Sequence, residues 1–188
     1  MGHFVCADAA CSGAGATAWP HLEPVHAEHP ELHGRLQELR FLIGHFEGQG
    51  VYGTGNDAGE RPFYKELVGA LETGGRFLSV RMAVGYPVAD GRIDTHQALV
   101  IIGATNGDEA LQARAYTDGG RLHDFALEPR DDGICFADVV SAHGQPTRTA
   151  RKLLGPTAEG LREVVELDLG GDGFAPYSSL VLRRAHGG

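Results

Sequence analysis

Along this chain the spacing of apolar residues changes once, from near four to two, and the change separates a helix from a long run of strands. Leu32, Leu36, Leu39 and Ile43 recur at helical intervals, and Pro30 stands where a first helical turn tolerates its missing N–H. The pattern predicts a helix over about 30–42, ended by Gly44. From Phe46 onward apolar and polar residues alternate. Ten strands are predicted, over about 45–53, 62–69, 75–84, 93–102, 109–117, 121–127, 133–140, 147–154, 160–169 and 176–184. Residues that accept positive φ mark the breaks, among them Thr73-Gly74-Gly75, Asn106-Gly107-Asp108, Asp118-Gly119-Gly120 and Gly170-Gly171-Asp172-Gly173.

The first strand is the most distinctive. Phe46, Gly48, Gly50 and Tyr52 share one face of it, and the glycines let another backbone or a bound molecule come close. Many short strands joined by short links would leave exposed edges in an open sheet, and closure removes them. The fold class expected is therefore all-β: an antiparallel up-and-down barrel of about ten strands, with the N-terminal helix capping one end. No residue motif recurs from strand to strand, so neither a propeller nor a solenoid is expected. Residues 1–28, rich in Ala, Gly, Pro and His, are read as a flexible arm, and 29–186 as the barrel domain.

Composition narrows the partners. A formal charge of −9 over 188 residues offers no basic stripe for phosphates, so nucleic acid is not expected as a partner. The N-terminus lacks the pattern of a signal peptide, and no apolar run could cross a bilayer as a helix, so a cytoplasmic protein without a membrane partner is expected. Cys6, Cys11 and Cys135 show no zinc spacing. His29 and His33 have i, i+4 spacing but lack a third ligand, and no metal is expected. The glycines from Gly48 to Gly55 lack the lysine and following helix of a phosphate loop.

The run Leu42-Ile43-Gly44-His45-Phe46-Glu47-Gly48-Gln49-Gly50, preceded by His29-Pro30-Glu31-Leu32, resembles the opening of bacterial lipocalin-like (calycin) domains of unknown function, related in shape to nitrobindins and fatty-acid-binding proteins. The closing Ser179-Leu180-Val181-Leu182-Arg183-Arg184 agrees with it. The resemblance implies a barrel that encloses a small molecule. Its nitrobindin branch implies haem held by a histidine near the C-terminus, for which His186 is the candidate.

Alternate residues of a barrel strand line the lumen, so parity nominates the site. Tyr64 and Glu66 share a face with Val68, and His96 begins the apolar face Ala98, Val100 and Ile102. These three are the catalytic candidates: Glu66 or His96 as acid or base, Tyr64 as the donor to a developing oxyanion. Phe46, Tyr52, Arg81, Arg114, Tyr116 and His123 are the ligand-binding candidates, with Arg114 suited to an acidic group. The alternative for Glu66 and Arg114 is cross-strand pairing in solvent. Both faces of 93–102 are apolar, which predicts a cover over the outer one, either the arm or a second subunit in a homodimer.

The function expected is the enclosure of an apolar or amphipathic metabolite, either to carry it or to promote a cofactor-independent cyclisation or isomerisation in biosynthesis. The alternatives are a haem-binding barrel and a non-enzymatic dimerising module.

Overall fold

The computed structural model describes residues 34–54, 59–88, 92–105, 110–138, 149–168 and 173–185. Among them a 3-10 helix, Gly34–Leu42, leads into ten strands: β1 (Gly44–Tyr52), β2 (Arg61–Glu72), β3 (Phe77–Pro87), β4 (Ile93–Thr105), β5 (Ala110–Thr117), β6 (Leu122–Arg130), β7 (Gly133–Asp138), β8 (Thr149–Pro156), β9 (Gly160–Asp168) and β10 (Phe174–Arg184). Each strand pairs antiparallel with the next, and β1 closes on β10 with Phe46 opposite Arg184 and Gly50 opposite Leu180. The result is a closed up-and-down barrel.

The glycine face of β1 has a structural use. A Cβ on Gly48 would run into the Val181 carbonyl oxygen, and one on Gly50 into that of Ser179, so β10 closes against β1 only because these side chains are missing. The close approach expected of these glycines is thus made by a neighbouring backbone.

The helix fills the end of the barrel where the odd-numbered strands begin. Leu36, Leu39 and Leu42 are fully buried and join Phe46, Leu67, Leu78, Ile102, Leu111, Leu161 and Leu182 in one apolar floor. Burying each such side chain stabilises the fold by roughly 1.5–3 kcal/mol. The helix sits close because Gly69 of β2 leaves room for the Leu42 carbonyl. No described helix is long and apolar enough to cross a membrane. The expected arm, Cys6, Cys11, His29 and His33 lie outside the described residues.

Candidate functional site

The register decides which residues see the lumen. Phe63, Lys65 and Leu67 of β2 point inward, as do Val80, Met82, Val84 and Tyr86 of β3, and Val100 and Ile102 of β4. Leu111, Ala113 and Ala115 of β5 continue that face, followed by Phe125 and Leu127 of β6. Across the barrel, Lys152 and Leu154 of β8 stand opposite Val165 and Glu163 of β9.

Above the floor the lumen divides in two. On the side of β1, β2 and β3 it is filled by aromatic rings. Tyr52 meets Tyr86 edge to face at 5.1 Å and Phe63 at 6.2 Å, and Phe63 stacks on Tyr86 at 5.9 Å. The other side is open. There a cavity of about 310 Å³ is lined by Val80, Met82, Ala98, Val100, Ala115, Phe125, Phe136, Ala150, Leu154 and Val165, with Leu42 of the helix below and Thr117, His123, Arg151 and Lys152 as polar members. Three alanines where neighbouring strands carry large side chains account for much of the space.

Two charges are buried between the halves. Lys65 and Glu163 are each 3% exposed, and the Lys65 ammonium donates to both carboxylate oxygens, at 2.7 and 2.5 Å. Lys152 Nζ stands 3.9 Å from the same carboxylate. Burial lowers the Lys65 pKa to about 8; the Lys152 ammonium pushes the same way, and Glu163 opposes. Burial alone would raise the Glu163 carboxyl, but Lys152 and Lys65 outweigh it and hold the group below its ordinary value. Among the described residues no buried side-chain polar atom lacks a hydrogen-bond partner, so the buried pair Lys65–Glu163 is electrostatically demanding but bonded.

The sequence-derived candidates scatter across this geometry. Tyr64 and Glu66 share a face, but it is the outer one: Tyr64, 41% exposed, donates to Glu47 at 3.0 Å, and Glu66 pairs with His45 at 2.7 Å. Partial burial, and then the bond to Glu47, hold the Tyr64 phenol at about 12. Arg81, Arg114 and Tyr116 also point outward, which corrects the expectation that they face the cavity. Arg114 makes the cross-strand alternative, with Nε 2.6 Å and an Nη 3.2 Å from the Asp124 carboxylate. Phe46 is inward but belongs to the floor, where the Arg184 guanidinium lies 4.8 Å from its ring centre. Tyr52 belongs to the aromatic half. His96 lies at the rim on that half, 5.6 Å from Tyr86, and is exposed. Of the nine candidates only His123 lines the cavity, stacked on Phe125.

Lys65, Glu163 and Lys152 were missed. A signal existed: Phe63-x-Lys65-x-Leu67 and Leu161-x-Glu163-x-Val165 each set one charge into an otherwise apolar face. The neighbouring face of β2, with Tyr64 and Val68, was apolar enough to compete.

A second depression, of about 490 Å³, lies on the outer wall against Pro62, Tyr64, Ala83, Gly85, Ile93 and Thr95. It is larger and equally apolar, but it lies outside the barrel, whereas the inward faces of the strands converge on the lumen, which is the better site. Cys135 is buried, and burial raises its thiol pKa, which suits a packing residue. Among the described residues no group of three His, Cys, Asp or Glu side chains lies together as metal ligands would. His186 lies outside the described residues.

No family model and no curated protein matches the chain. Among solved structures, the crystal structure of Rv2717c from M. tuberculosis is similar, with a TM-score of 0.55 and 18% sequence identity over 83% of this chain and 100% of that one. The likeness is one of fold alone. The chain is a closed antiparallel β-barrel with a lumen compatible with small-molecule binding.

Proposed function

We propose that this barrel binds a small, largely apolar molecule in the open half of its lumen. The observation that carries the reading is the cavity of about 310 Å³, walled by hydrocarbon and aromatic side chains and adjoined by one charged trio. That volume is at the lower end for a ligand pocket, which typically runs about 300–1,000 Å³. Each methylene moved from water into such a wall contributes about 0.8 kcal/mol.

Enclosure of this kind suits both a carrier and a catalyst that folds a flexible substrate for cyclisation or isomerisation. Carriage is the reading adopted, because the acid–base set Tyr64, Glu66 and His96 does not line the cavity. A catalytic version would rest on His123 and Lys152, the titratable groups that line the open half together with Arg151.

The test is titration with N-phenyl-1-naphthylamine, a neutral probe that fluoresces in apolar surroundings. Saturable emission is expected from the wild type, lost in an Ala98→Phe/Ala115→Phe variant that fills the cavity. Equal emission from both proteins would move binding to the outer wall and discard the reading.

A further inference from the structure

We infer that the natural guest of the lumen is an organic anion, an apolar skeleton carrying one carboxylate or a group of equal charge, and that the Lys152 ammonium receives its acidic end. This rests on the lumen being the binding site, and adds the chemical class of the ligand.

The argument is one of charge balance inside a low-dielectric wall. Two ammonium groups, Lys65 and Lys152, share the single carboxylate of Glu163. Lys65 takes both of its oxygens at hydrogen-bonding distance, whereas Lys152 stands off at 3.9 Å. Lys152 Nζ also lies 3.9 Å from the Met82 sulfur, a weak acceptor that brings no charge. Arg151, which also borders the cavity, is matched by Glu166 at 2.5 Å. Among the described residues, no aspartate or glutamate lines the cavity. Among the described residues one positive charge is therefore left over, and Lys152 carries it: its side chain is 28% exposed and borders the cavity beside Phe136 and Leu154.

An ammonium held among hydrocarbon is costly unless something compensates it. A ligand acid would do so with a charge-assisted bond, stronger than one a neutral end group can offer. A cationic guest would add a third positive charge to the trio and be rejected. Lys65 is closed to the ligand, since it is buried, two of its three donors are engaged by Glu163, and it does not line the cavity.

Three probes with one skeleton separate the terms: decanoate, decan-1-ol and decylammonium, each competing with N-phenyl-1-naphthylamine at neutral pH. Decanoate is expected to displace the probe at concentrations about tenfold below those of decan-1-ol, the order of a single charge-assisted bond, and decylammonium to be the weakest. Lys152→Met should erase the advantage of decanoate and leave decan-1-ol unimpaired, while Lys152→Arg should keep it. A measurement on the unaltered protein guards against misfolded variants: the carboxyl carbon of bound ¹³C-decanoate, followed by NMR, should titrate at lower pH than free decanoate. If decanoate shows no advantage in the wild type, or its advantage survives Lys152→Met, or its carboxyl titrates no lower when bound, the assignment falls and the lumen reading stands. If the neutral probe itself fails to bind, both fall.

Discussion

The two halves of the lumen are built on the same wall and differ in what fills them. Between β1, β2 and β3 the rings of Tyr52, Phe63 and Tyr86 pack against one another. On the opposite side Ala98, Ala115 and Ala150 leave about 310 Å³. Strand register sets which residues face inward, but the size of those residues sets whether a guest fits. The buried pair Lys65–Glu163 lies between the halves, and Lys152 lines the open one.

Breaking the pair should have the largest effect. Glu163→Gln leaves two ammoniums without a counter-charge and is expected to cost about 3–5 kcal/mol in a urea titration, whereas Lys65→Met/Glu163→Leu should recover most of that loss, since an apolar replacement removes both desolvated charges together. Equal losses in the two proteins would show that the site needs charge for some other reason.

Truncating the filled half comes next. Tyr86→Ala removes the ring that touches both Tyr52 and Phe63, with an expected loss of about 2 kcal/mol, and it should enlarge the room available to a guest. Filling the open half is the complement. Ala98→Phe/Ala115→Phe should change stability by about 1 kcal/mol or less, because the new rings enter existing space, yet abolish binding of the neutral probe. A large destabilisation instead would mean that the cavity cannot accept atoms.

A gentler probe of the pair is pH. With the Lys65 pKa lowered to about 8 by burial, the unfolded chain binds more protons than the folded one from there up to the ordinary lysine range. The unfolding free energy should therefore climb with pH through that window, and Lys65→Met should flatten the rise. The smallest effect is expected on the outer wall. Arg114→Ala or Tyr64→Phe removes a surface bond and should leave probe affinity unchanged.

How much of this was legible follows from the physics of strands. Alternation and turn residues located all ten strands, because a half-buried strand has a period that any sequence must show. Gly48 and Gly50 signalled a close approach to β1, and the structure shows that the backbone of β10 makes it. The site was not, because alternation separates two faces without saying which is inward, and on β2 both are part apolar: Phe63 and Leu67 against Tyr64 and Val68. A one-residue choice moves every side chain to the other face. That choice placed Tyr64 and Glu66 in the lumen and hid Lys65. The pairing of Lys65 with Glu163 joins residues far apart in the chain, and only the closed register brings them together.

The account turns on the open half of the lumen being an accessible apolar space, and xenon reports on that directly. In diffraction from a crystal held under xenon pressure, the account predicts an anomalous peak between Ala98, Ala115, Phe125 and Phe136. A peak only in the outer depression beside Tyr64, Ala83 and Ile93, or none at all, would contradict it.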